Sequence, residues 1–476
     1  MLSFKKQIHD YIIIHKDEIV ETLKQLIKIP SIRDEAMPGA PFGKDCANVL
    51  QHIKHLYDIN EFETELDVDG GYLLAYFGEG KTSLGLFSHA DVVPVNNEWT
   101  YTKPFEPIEK DGTIIGRGAV DNKSAVVISL YCAKILKELN IPFSKRLVCF
   151  TGSSEETGMQ DIKNYINKHT APDFSLVCDT AFPLYRGNKG GIRFTAVCTK
   201  PFNRIKDITA SNVAGAILGK VKIKLDYDEK LYNNLKKQEN DRVRVLADNN
   251  KIFVETHGVS KHSALPEDSL NAGYLFSKVL TECQYLTEDE RKQMKFISDI
   301  LYYYYGESLG IDNTDPVFGK LTLANDLITF KDGIIKLHFN LKFGSCVDIT
   351  ELKNRIIKEF SKNDWNVEFE GEAIAPYITD INNPMLQACL NTYKEFTGDI
   401  NASPYINAGG TYARELPRAV EIGTTLRWQG PNDLPQGHGG AHQPDEFINI
   451  DGMLNAIELT LLMLIACDKT KEDCNL

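Results

Sequence analysis

Over roughly the first 180 residues, apolar positions recur at two alternating periods. Residues 3–28 repeat them at helical spacing and stop at Pro30, and residues 44–56 predict a second helix. Residues 72–77 and 84–87 are short apolar runs of strand length. A stretch rich in Pro, Asp and Gly, 94–118, predicts a loop. Beyond it, 123–139 predicts an amphipathic helix, 146–151 a strand, 158–168 a helix and 174–178 another strand. Strands alternating with helices predict a mostly parallel sheet with helices on both faces.

The texture changes near Gly190. Residues 192–199, 251–256, 327–330 and 334–343 predict strands of a largely antiparallel layer, and Lys331-Asp332-Gly333 is a hairpin signal. Helices predicted at 268–282, 287–305 and 349–362 would cover one face of that layer. From Pro376 the alternation resumes, with helices near 384–396 and 451–467. The predicted fold class is α/β, a mostly parallel sheet domain with helices on both faces, interrupted by an inserted α+β domain with an antiparallel sheet. The expected boundaries are 1–189 and 373–476 for the first domain and 190–372 for the inserted one.

At 476 residues the chain exceeds one ordinary core, which agrees with two domains. Hydrophobic residues at 42% and charged residues at 25% exclude a disordered chain. The net charge of -13 argues against nucleic acid or an anionic membrane as the main partner and leaves small molecules open. The cysteines are scattered without a Cys-x-x-Cys pair, which disfavours a thiolate zinc site and predicts buried free thiols in a reducing cytoplasm. Tyr11-Ile12-Ile13-Ile14 is too short for a signal peptide, and the apolar run 459–467 is too short for a membrane span.

Candidate chemistry sits mostly at the ends of the predicted strands, where α/β sheets collect ligands. His89 and Asp91 in Ser88-His89-Ala90-Asp91 lie two apart and share a side while the chain stays extended. A glycine-rich turn, Gly116-Arg117-Gly118, leads to Asp121 and a helix, without a P-loop or dinucleotide pattern. Glu155 and Glu156 follow a strand, Asp179 closes another, and His438 and His442 share a glycine-rich loop. Each has a plain explanation taken singly, such as a helix start for the glutamates or a surface loop for the histidines. Together they make a nitrogen and oxygen donor set, without sulfur, that suits two divalent cations.

These segments resemble the zinc metallohydrolases that include aminoacylase, carboxypeptidase G and succinyl-diaminopimelate desuccinylase, and most of all the peptidase V or carnosinase-like dipeptidase branch. The resemblance runs through Pro41-Phe42-Gly43 and residues 88–94, 99–123, 152–162, 179–183, 262–272, 409–414 and 442–446. It implies that His89 and Asp179 bind one metal, Glu156 and His442 the other, and that Asp121 bridges them ahead of a cis peptide to Asn122. Asp91 would orient His89. Glu155 would be the general base, and His262 would stabilise the oxyanion. Asn212, Lys342, Gly409, Gly410 and Thr411 would contact substrate.

The chain departs from the pattern at Asn340-Leu341-Lys342, where the family carries an arginine, and a lysine lacks the bidentate fork. Ser124 replaces a usual glycine, and Ser154 a usual Asp or Asn. The implied function is a cytoplasmic, monomeric dipeptidase with two divalent ions, zinc with manganese or cobalt as alternatives. The other reading is an N-acyl amino acid amidohydrolase using the same centre.

Overall fold

The computed structural model describes residues 2–96, 98–210, 215–261, 263 and 266–470. The chain folds as two compact units, one running to Gly187 and resuming at Ile378, the other spanning Asn188–Tyr377. The first segment opens with α1 (Leu2–Ile14), α2 (Lys16–Ile27), α3 (Lys44–Asp58), β1 (Glu63–Asp67), β2 (Tyr72–Phe77) and β3 (Ser83–His89). There follow β4 (Ile108–Lys110), β5 (Thr113–Ile115), α4 (Lys123–Glu138), β6 (Arg146–Gly152), α5 (Gln160–Lys168), β7 (Phe174–Thr180) and β8 (Tyr185–Asn188). The second unit holds β9 (Gly190–Cys198), β10 (Ile205–Ala210), β11 (Lys220–Asp226), α6 (Glu229–Lys236), β12 (Val243–Asp248), β13 (Lys251–His257), α7 (Ala272–Thr281) and α8 (Glu288–Tyr302). It continues with β14 (Thr314–Asp315), β15 (Gly319–Lys320), β16 (Thr322–Lys331), β17 (Ile334–Phe343), α9 (Ile349–Ser361) and β18 (Trp365–Ile374). After β19 (Tyr377–Ile378) come α10 (Pro384–Thr397), β20 (Tyr405–Asn407), β21 (Ala419–Gly423), β22 (Phe447–Asn449) and α11 (Ile450–Lys469).

The main sheet is mixed. Its centre is parallel, with β3 paired to β6 and β7, and β7 to β21. Antiparallel β2 and β1 extend one edge, and β8 pairs antiparallel to β21 on the other side. Along β3 the alternation of a strand sorts side chains to two faces. Leu84 and Leu86 join the large core with α4 and α11, whereas Phe87 stacks on Phe150 and meets Tyr165 of α5. His89 has the parity of Phe87, so it leaves the strand on the aromatic face.

Several details differ from the sequence reading, each for a local reason. The first helix is two, parted at His15, whose Nδ1 and ring both turn back on Tyr11. The loop 94–118 contains a hairpin, β4 and β5, turned by Asp111 (φ 51°) and Gly112 (φ 74°) and extended by β22. That pair is an Asp-Gly turn signal inside a stretch otherwise read as loop. The last helix is longer than its most apolar run. Ile450–Lys469 is long and apolar enough to cross a membrane, yet 89% of its apolar window is buried inside the protein. Among the described residues the cysteines are free, all buried except Cys346.

The second unit carries two four-stranded antiparallel sheets, β10-β11-β13-β12 and β16-β17-β9-β18. Period-two patterning builds them: Ile335, Leu337, Phe339, Leu341 and Phe343 of β17 are all buried in one core. The Lys331-Asp332-Gly333 turn closes β16 on β17, with φ of 51° and 78° at its last two residues. A capping box, Thr287 with Glu290, starts α8 at its predicted place.

Candidate metal centre

His89 ends β3 with its ring 1% exposed. Its Nδ1 lies 3.0 Å from the Asp91 carbonyl oxygen, which can only accept. Nδ1 therefore carries a proton, and Nε2 is the nitrogen turned to the carboxylates. That buried Nε2 has no hydrogen-bond partner, although Asp121 Oδ1 lies 3.2 Å away and Asp179 Oδ1 3.5 Å. Burial opposes a second proton on this ring, yet the charge of Asp179 and the nearness of Asp121 favour one, so the seat suits a positive charge, whether a proton or a cation.

Asp179 comes from the carboxyl end of β7, and Asp121 from the turn ahead of α4. Asn122 ties these pieces together, a role that sequence reading did not foresee. Its Oδ1 accepts from His89 N at 3.1 Å, and its Nδ2 donates to Cys178 O at 2.6 Å and Asp179 Oδ1 at 2.8 Å. The Asp121–Asn122 peptide is cis.

A second group shares Asp121. His442 Nε2 lies 3.1 Å from Asp121 Oδ2 and 2.9 Å from Glu156 Oε1. The donor atoms of His89, Asp121 and Asp179 all lie within 4.8 Å of one another, as do those of Asp121, Glu156 and His442. His438 faces elsewhere, its Nδ1 bonded to Asp445 Oδ2 at 2.7 Å. Glu446 braces the Asp121 turn, accepting from Val120 N and Asp121 N at 3.0 Å each and from Arg117 Nη1 at 2.6 Å. Nothing in the sequence marks Glu446 as buried or pairs it with residues 325 and 329 positions away.

Glu155 and Glu156 leave the end of β6 in a turn gripped from behind. Asp91 Oδ1 accepts from Glu155 N and Oδ2 from Glu156 N, both at 3.1 Å, while Oδ1 lies 3.4 Å from His89 Nδ1. Burial pushes the Glu155 carboxyl well above its usual range, and the charges of Asp179, Glu156 and Asp91 add to that. Burial likewise raises Glu156, and lifts Asp179 to about 7. Burial opposes protonation of His442, yet its bonds to Asp121 and Glu156 push it up to about 11. Five carboxylates thus face two imidazoles, an excess of negative charge that divalent cations would neutralise.

The Gly409-Gly410-Thr411 loop is anchored by Glu421, which accepts from Thr411 Oγ1 at 2.7 Å and Asn407 Nδ2 at 2.9 Å. The Thr411 hydroxyl is thereby committed to shaping the loop. Arg414 Nη2 donates to Gly409 O at 3.1 Å. Lys342 lies on β17 of the second unit, opposite Gly191 and Thr322. His262 and Asn212 lie outside the described residues.

A parallel-centred sheet with this donor set at its carboxyl ends, in a chain matched over residues 85–466 by a peptidase family model, defines a metal-dependent hydrolase. The chain belongs to peptidase family M20/M25/M40. A protein of Staphylococcus epidermidis named "Putative dipeptidase" is 26% identical over 477 residues, covering 95% of this chain and 97% of its own. A Bacillus subtilis protein of the same description is 26% identical over 464 residues, covering 93% and 96%. The solved structure of human carnosine dipeptidase 1 shares the fold at 16% identity, with a TM-score of 0.60 over 98% of this chain and 99% of that one.

Proposed function

We propose that the protein is a dipeptidase that hydrolyses the peptide bond of small free dipeptides with Glu155 as its general base. The observation that carries this reading is the pair of donor groups sharing Asp121, with Glu155 in the turn beside them. His89 and Asp179 would hold one divalent cation, Glu156 and His442 the other, and Asp121 both. The cations would supply Lewis acidity, polarising the substrate carbonyl and lowering the pKa of water. Zinc suits the donors, and manganese or cobalt also accept them.

Glu155 takes a proton from the attacking water and passes it to the leaving amine. Burial raises the affinity of the Glu155 carboxyl for a proton, and the charge of bound cations would draw it back toward the ionised form that a base needs. Asp91 positions Glu155 through its amide and His89 through its carbonyl. The oxyanion role of His262 and the substrate roles of Asn212 and Lys342 rest on the sequence resemblance. Gly409, Gly410 and Thr411 would line the pocket as a loop held by Glu421. The resemblance to peptidase V supports a monomer, and a stable dimer on gel filtration would overturn that.

The test is a panel of free dipeptides and N-acetyl amino acids offered to apoprotein reloaded with zinc or manganese. Cleavage of dipeptides is expected. Activity on acylated amino acids alone would reassign the chain as an amidohydrolase.

A further inference from the structure

Behind the Glu155 turn lies a buried carboxylate that the proposed mechanism does not use. Asp161, in the first turn of α5, is fully buried. Its Oδ1 accepts from Ile162 N at 2.8 Å, and its Oδ2 accepts both from Ser154 N at 2.7 Å and from the Tyr412 hydroxyl. Three successive amides, of Ser154, Glu155 and Glu156, are therefore held by two carboxylates: the first by Asp161, the others by Asp91. Tyr412 closes the ring of contacts. Its side chain meets His89 edge-on, with centroids 6.4 Å apart at 87°, and Phe150 at 5.4 Å and 86°.

The space is shaped around this bond. A Cβ on Gly152 would stand 2.1 Å from the Tyr412 hydroxyl oxygen and 2.2 Å from Asp161 Oδ2, so only glycine fits where β6 ends. Tyr412 also directly follows Gly409-Gly410-Thr411, so one hydroxyl links that loop to the turn bearing the base.

We propose that Asp161 and Tyr412 are positioning residues: their hydrogen bond fixes the Ser154–Glu156 turn against His89, and so sets the aim of Glu155. A carboxylate that loses one of three donors holds its remaining partners less firmly, and the turn gains freedom. Misaim of a base lowers the chemical step more than substrate binding. The kinetic part of this proposal rests on the dipeptidase reading; the structural part does not.

The experiment uses the metal-loaded full chain and its Tyr412→Phe variant, which keeps the ring and removes only the hydroxyl. Amide exchange across residues 153–157 is expected to quicken roughly 10–100-fold, as the loss of one buried charged hydrogen bond implies. On the best dipeptide, kcat is expected to fall about tenfold or more with KM within about threefold and two cations still bound. Asp161→Asn should give the same split, and the double variant should cost less than the two single losses together. Unchanged exchange overturns the proposal. So does faster exchange with kcat unaltered, or a kcat loss traced wholly to missing cations. If the unmutated protein ignores every dipeptide, the dipeptidase reading fails, while the exchange measurement still decides whether the bond fixes the turn.

Discussion

The two halves of the candidate metal centre are built differently. The His89 half is made by strands: β3 delivers the histidine, β7 delivers Asp179, and Asn122 stitches the two ends together with bonds of 2.6–3.1 Å. The His442 half is made by a loop. His442 has a left-handed φ of 65° and a side chain 53% exposed, and it meets Glu156 across 286 residues of chain. A strand end in a packed sheet is held on every side, whereas a loop must be braced, here by Arg117 and Glu446. The lesson is that two similar donor sets can differ in rigidity, so the loop half should be the first to yield.

The strongest break spares both halves. Glu155→Gln should lower kcat about 10²–10⁴-fold, the worth of a general base, with two cations still bound. Metal analysis alongside turnover checks it, and retained turnover would refute the role of Glu155. Next, Glu446→Gln would leave Arg117 buried without its counter-charge, at about 3–5 kcal/mol of stability. Denaturant titration should register that loss, and the cation of the His442 half should dissociate first. On the other half, Asn122→Ala should weaken one cation roughly 10–100-fold, the usual cost of removing a group that orients ligands. Competition with a chelator measures it, and equal weakening of both cations would erase the contrast drawn above.

The dependence on pH is graded rather than all-or-none. Asp179 titrates near 7 and His442 near 11 in the cation-free protein, so both hold protons that a cation must displace. Binding should therefore tighten as pH rises from 6 to 8, by about tenfold per unit for the His442 proton, with the Asp179 proton adding to this only below 7. Calorimetry in buffers of different ionisation heat would count those protons. The linked stability has the opposite sign for His442. Its folded value lies above the ordinary 6.5, so the pairing supports the cation-free fold fully below 6.5 and fades as pH climbs toward 11.

Much of the site was legible because its residues sit in short local motifs. His89, Asp121, Glu155, Glu156 and Asp179 each stand where a predicted strand ends or a predicted helix begins, and the structure gathers them with His442. The groups that hold them were not legible. Asn122, Asp161, Glu446 and Tyr412 look ordinary in sequence, since each acts through partners that only folding supplies. Strands β1, β10, β11, β12 and β18 were also missed. β18 carried its signal nonetheless: Trp365, Val367 and Phe369 alternate with Asn366, Glu368 and Glu370 at the period of a half-buried strand.

By itself the sequence determined the two periods that separate a parallel-centred layer from an antiparallel one, the free cysteines, and the donor chemistry of nitrogen and oxygen. These are local properties, carried by spacing and side-chain type. The resemblance in sequence already paired His89 with Asp179 and Glu156 with His442 around Asp121; tertiary structure alone decided how those side chains are held, by Asn122, Glu446, Asp161 and Tyr412. Such choices depend on contacts across hundreds of residues, and no local pattern encodes which distant partner a side chain will meet.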